Sequence, residues 1–136
     1  MKAENAWLPF LFFYAIISLP DSRFPKDHQV HETRYVINLS PDGKNRYRHY
    51  HVSEKGQIIE FRIQYEAYLE GRWRAIVRYD TAHGFAHRDV MHPNGTQTKT
   101  SFQPFDFATM LTYGERDLKR NWASYCEDYI RDMRRR

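Results

Sequence analysis

Hydrophobic and polar positions alternate in short runs from about residue 34 to residue 103, and beyond residue 107 the apolar positions recur every third or fourth residue. A period of two is that of a pleated strand, and a period near 3.6 is that of a helix with one buried face. Residues 57–69 alternate over their whole length. Ile59, Phe61, Ile63 and Tyr65 fall on one face and Glu60, Arg62, Gln64 and Glu66 on the other, the contrast expected of an antiparallel strand with one face in a core and one in water. Residues 34–39 and 46–52 are also rich in strand-forming types. Between these segments stand Ser40-Pro41-Asp42-Gly43 and Glu54-Lys55-Gly56, whose proline, acidic and glycine residues are turn formers.

Glu70-Gly71 leads into residues 72–80, where Trp73, Ala75, Val77 and Tyr79 share one parity and Arg72, Arg74, Ile76 and Arg78 the other. Strict alternation would line one side of this strand with three arginines. A loop containing Gly84 follows, then a short strand near residues 87–92, a Pro93-Asn94-Gly95 turn and a strand at residues 98–103. The expectation is an antiparallel meander of four to six strands.

After Pro104 the period turns helical, with a short helix expected at residues 107–113 and a longer one at 116–136. In the longer segment Leu118, Trp122, Tyr125 or Cys126, Tyr129, Ile130 and Met133 form one apolar stripe suited to packing on the sheet. Arg134, Arg135 and Arg136 would stand at the negative pole of its dipole. The fold class expected is α+β: a meander packed by a C-terminal amphipathic helix, with an apolar N-terminal helix or arm.

That arm rests on residues 7–17, an almost unbroken apolar run, followed by a polar, proline-bearing stretch to Glu32. The division expected is an arm and linker over residues 1–32 and a single α+β domain over 33–136. The run has the length of a signal core, but the five residues before it carry no net positive side-chain charge and no clean small-x-small cleavage triplet follows. It is too short to span a bilayer, which takes about 20 residues. A packed N-terminal helix is one reading. A signal or surface anchor, giving a secreted or membrane-surface protein, is the other.

Composition narrows the classes further. The chain has 136 residues, a formal charge of +4 and one cysteine, Cys126. A lone cysteine rules out an intramolecular disulfide and a four-cysteine zinc site and suits a reducing cytoplasm. Cys126, beside the apolar stripe, reads as small core filler. The basic balance favours a polyanionic partner such as RNA without requiring one.

Candidate chemistry gathers in residues 72–92. His83 and His87 are candidates for an acid–base pair, because imidazole exchanges protons near neutrality. Arg78 and Arg88 are candidates to hold a phosphate and its developing charge, with Tyr79 and Asp80 orienting them. Arg72, Arg74, Trp73, Phe85 and His92 extend the set as nucleic-acid contacts, the aromatics by stacking on bases. The plainer alternative is a strand with a solvated arginine face and surface histidines in a loop. His83, His87 and His92 with Asp80 or Asp89 also supply metal-ligand types, but no zinc motif is present, and no metal or other cofactor is expected. His49 and His51 lie two apart, so they share a strand face with Tyr47.

The stretch Arg78-Tyr79-Asp80-Thr81-Ala82-His83-Gly84-Phe85-Ala86-His87-Arg88-Asp89 resembles the signature of the TumE-like toxins of prokaryotic toxin–antitoxin pairs, in which a strand ending Tyr-Asp-Asn leads into a Gly- and His-bearing loop. Tyr79, Asp80, Gly84, His87 and Arg88 match that pattern; Thr81 replaces the Asn, and Asp89 stands where a further histidine is common. The resemblance implies an RNA-cleaving or translation-blocking toxin restrained by an antitoxin protein from a neighbouring gene. With the residues themselves it leads to a metal-independent endoribonuclease acting on RNA as the first expectation, and a non-catalytic protein- or nucleic-acid-binding module as the second.

Overall fold

The alternating segments fold as one six-stranded sheet whose spatial order follows the chain. A computed structural model describes residues 29–135, so the apolar run at 7–17 and most of the expected arm and linker lie outside the described residues. The strands are β1 (Val30–Asn38), β2 (Asn45–Glu54), β3 (Gln57–Leu69), β4 (Arg72–Asp80), β5 (His87–Met91) and β6 (Gln97–Ser101). Every neighbouring pair is antiparallel. Tight connections enforce this, and Gly56, at φ 75°, takes a backbone conformation that side chains oppose.

A single helix, α1 (Phe107–Arg134), follows the sheet. Asp106 caps it, accepting from the Thr109 backbone N–H at 2.8 Å and from the Thr109 hydroxyl at 2.9 Å. The expected break between residues 113 and 116 does not occur. Gly114 lies inside the helix and is buried there, because a Cβ on it would meet Tyr79 Cγ at 2.9 Å and Ile63 Cδ1 at 3.0 Å. The glycine that reads locally as a helix breaker is a point of close approach between helix and sheet.

The core fills the space between α1 and one face of the sheet. Tyr47, Phe61, Ile63, Tyr65, Val77 and Tyr79 come from the strands, and Met110, Leu111, Leu118 and Tyr129 from the helix. Tyr79 donates to Asp117 at 2.7 Å, and Tyr125 donates to the same oxygen at 2.7 Å. The opposite face is not the solvated one that alternation predicts: Glu60, Arg62, Gln64 and Glu66 are all buried. Burial of charged groups is tolerated most readily when they are paired, and here Arg62 pairs with Asp80, Gln64 with Arg78 and Glu66 with Arg46 across strands.

Alternation also fails at two bulges. In β3, Val52 pairs with Glu60 but Ser53 with Ile58, so Ile59 is an extra residue and packs with Tyr50 and Val52 instead of sharing the face of Phe61, Ile63 and Tyr65. The second bulge is in β4. Tyr65 pairs with Val77 but Glu66 with Ala75, so Ile76 is the extra residue of a bulge. Ile76 is buried in the core. Residues before the bulge exchange faces with those after it, and the expected row of three arginines does not form. Arg72 and Arg74 pair with Leu69 and Ala67 on the helix side, whereas Arg78 pairs with Gln64 on the polar face.

Candidate functional site

The polar face carries charges in register from β2 to β6. Arg46 donates to Glu66 at 2.6 Å, and Gln64 donates to the other Glu66 oxygen at 2.6 Å. The Arg78 Nε donates to Gln64 at 2.7 Å. Burial pulls the Arg78 guanidinium down from its ordinary value, against the opposing pull of Asp80, Asp89 and Glu66. One step along, Arg62 reaches Asp80 at 3.5 Å, and β4 hands over to β5 through the Asp80–His87 register pair. His87 Nε2 lies 2.8 Å from Asp80 Oδ1 and 3.5 Å from Asp89 Oδ2. Lys99 of β6 closes the row at 3.9 Å from Asp89 Oδ1.

This end of the sheet is shaped by the loop between β4 and β5. Asp80 Oδ1 accepts from the Ala82 backbone N–H at 3.2 Å, and Gly84, at φ 82°, turns the chain back. The turn lays the exposed His83 over the buried His87, with ring centroids 5.6 Å apart and planes inclined by 26°. Phe85 flanks both rings, its centroid 5.9 Å from that of His87. The result is a solvent-facing imidazole on a carboxylate-flanked one. His87 is only 2% exposed and its Nδ1 lies 3.4 Å from the Phe85 carbonyl, so both of its ring nitrogens face protein groups.

Of the residues expected from sequence, His83, His87, Asp80, Arg78 and Phe85 stand at this end of the polar face. Tyr79 and Arg88 do not. They pair with each other in register on the helix side, where Arg88 reaches the Tyr125 hydroxyl at 3.5 Å. Strand parity explains the separation, since Tyr79 and Arg88 alternate with Asp80 and His87. His92 also lies toward the helix, bonded to Thr98 at 2.7 Å and 3.9 Å from Asp132. Arg74 is committed locally to the Leu69 carbonyl and Glu70. Trp73 lies apart from the histidines, under the Arg46 guanidinium at 3.8 Å.

By alternation alone Glu60, Arg62 and Gln64 read as a solvent face, and Asp89 has no role beyond a possible ligand type. The parity of β3 placed Glu60, Arg62 and Gln64 together; the missing signal was that Arg62 meets Asp80 across the sheet. Glu60 is 8% exposed, and its Oε2 has no hydrogen-bond partner among the described residues. Burial pushes its carboxyl up to about 7, with Arg62 opposing and Glu32 and Asp80 reinforcing the shift.

Asp80, His87 and Asp89 offer three ligand atoms within 4.8 Å of one another. By ligand type they could hold a divalent ion. Their surroundings work against it: Asp80 faces Arg62, Asp89 faces Lys99, and Arg78 is the register partner of Asp89. Protein cations already balance the two carboxylates, and a divalent ion would bring surplus positive charge into a buried setting.

A second polar cluster lies on the helix side of β2. The Tyr47 hydroxyl is 2.6 Å from His49 Nδ1, and His49 Nε2 is 2.7 Å from His51 Nδ1. Tyr35 stacks on His49 with centroids 4.4 Å apart. Burial, helped by His51, brings His49 down to about 4.

Fold and site together define a small α+β protein, among whose described residues an antiparallel meander is backed by a C-terminal helix, with a histidine–carboxylate–arginine centre on the sheet face away from that helix. Residues 27–135 match the family described as a domain of unknown function, DUF7718, and the chain belongs to it. No curated protein and no solved structure matches the chain significantly. Within the described residues no helix is long and apolar enough to cross a membrane.

Proposed function

We propose that this protein is an RNA-cleaving enzyme of the toxin type, a metal-independent endoribonuclease held in check by an antitoxin protein encoded beside it. The observation that carries this reading is the His83–His87 stack at the carboxylate end of the Arg62–Asp80 pair. An RNA 2′-hydroxyl is a built-in nucleophile, so cleavage needs a proton acceptor, a proton donor and cations near the phosphate, and no metal. In this reading His83, which faces solvent, touches substrate. His87, held by Asp80 and Asp89, positions it, and Arg78 belongs to the cationic surroundings of the phosphate.

His83→Ala is the direct test, because the side chain is exposed and its loss leaves the fold intact. RNA cleavage and growth inhibition on expression are expected to fall by about 100-fold or more, with the melting temperature unchanged and the wild-type activity insensitive to EDTA. Co-expression of the neighbouring gene is expected to restore growth. A non-catalytic binding module is the second reading, favoured by the deep burial of His87 and by the arginine-covered Trp73. It is the one supported if purified protein binds RNA or a protein partner and cleaves nothing.

A further inference from the structure

An acid–base mechanism needs two proton-transfer groups, and His87 has both ring nitrogens turned to protein groups. The neighbouring strand supplies another candidate. Glu60 precedes Arg62 by two residues on the same face of β3, and Arg62 is the register partner of Asp80. Beyond that pair the two strands stay locked: the Phe61 N–H donates to Thr81 Oγ1 at 3.2 Å, and the Thr81 N–H donates to the Phe61 carbonyl at 3.3 Å. Glu60 therefore lies beside Ala82, at the foot of the loop that carries His83. It also has a buried oxygen that no group among the described residues bonds.

We propose that Glu60 is the second proton-transfer group of this site, acting as the acid opposite His83. This rests on the RNA-cleaving reading. Neutral His83 takes the proton of the 2′-hydroxyl as O2′ bonds to phosphorus. The bond from phosphorus to O5′ breaks with its electron pair going to O5′, which takes the proton of the Glu60 carboxylic acid. The products are a 2′,3′-cyclic phosphate, a 5′-hydroxyl, a protonated His83 and a Glu60 carboxylate. One proton exchange with water resets the pair. The charged groups that bear on Glu60 are Arg62 on its own strand, Glu32 on β1 and Asp80 on β4. The two carboxylates favour its protonated form and Arg62 opposes it. Burial keeps the acid available near neutral pH, where a donor must still hold its proton.

The test compares wild type with Glu60→Gln on two substrates: an RNA dinucleotide, and its analogue with a bridging 5′-sulfur, whose leaving thiolate needs no proton. On the oxygen substrate the variant is expected to lose about 100-fold or more in kcat/KM and to lose the fall in rate above about pH 7. On the sulfur substrate it is expected to recover to within a few-fold of wild type. A variant with wild-type rates and an intact alkaline limb would overturn the inference, as would equal losses on both substrates, which mark a structural role. In the wild-type chain, a ¹³C carboxyl titration of Glu60 should show its midpoint near 7 and should move when a 2′-O-methyl RNA is added. A midpoint in the ordinary carboxylate range with no response to that RNA would also overturn it, whether or not the variant folds. Wild-type protein that cleaves no RNA would overturn the underlying reading, and this inference with it.

Discussion

At the scale of single residues, burial sets the protonation behaviour of two groups in opposite senses. His49 is held well below the ordinary imidazole value because its charged form is desolvated beside Tyr47 and His51. Between about pH 4 and 6.5 the unfolded chain therefore binds more protons than the folded one at this residue. The stability tied to His49 is present in full above that window and is lost as pH falls through it. His49→Gln removes the titration, so the gap in unfolding free energy between wild type and variant should change from pH 6.5 to pH 4.5, with the wild type falling more steeply. Parallel curves from urea melts at these two pH values would show that His49 does not titrate as its burial requires. Glu60 carries the reverse sign. Its neutral form is the one the fold accommodates, so its contribution weakens as pH rises toward 7.

At the scale of elements, the contact between α1 and the centre of the sheet holds the site's framework. Tyr79 packs against Gly114, bonds Asp117, and sits one residue before Asp80, so the helix fixes the strand that presents the carboxylate. Gly114→Ala sets two effects against each other. Alanine is favoured over glycine in a helix interior by about 1 kcal/mol, but its Cβ would lie 2.9 Å from Tyr79 Cγ. Overpacking of this kind costs about 1–3 kcal/mol, and the contact is with the stem of a ring that cannot swing away. A net destabilisation of about 1 kcal/mol is expected, read as a lower melting temperature. A variant more stable than wild type would show that helix and sheet have room to separate.

At the scale of the whole molecule, a formal charge of +4 is the balance that suits a polyanionic partner, and binding of one must weaken with salt. With an assumed three phosphate contacts, the slope for single strands predicts that affinity for a 2′-O-methyl RNA falls roughly 20-fold between about 50 and 200 mM salt. Filter binding or fluorescence anisotropy would measure it. Binding indifferent to salt would count against RNA as the partner.

How much was legible beforehand differs between fold and site. The meander, its order and the C-terminal helix could be read from residues 34–136 because strand and helix periods are local properties, set by which side chains alternate and where turn residues interrupt them. The His83–Gly84–His87 loop and Asp80 were legible for the same reason. Which groups from different strands share a face was not. One bulge at Ile76 sends Arg72 and Arg74 away from Arg78, and the alternation of β4 and β5 sends Tyr79 and Arg88 into the helix interface. Gly114 reads as a break until Tyr79 is seen to press on it. Glu60 and Arg62 read as a solvent face until register sets Arg62 opposite Asp80. The sequence by itself determined the strands of the meander, the helical character of the C-terminal stretch and the segment that holds the histidines. Only the tertiary structure decided which charges meet, because side chains distant along the chain become neighbours through strand register and packing.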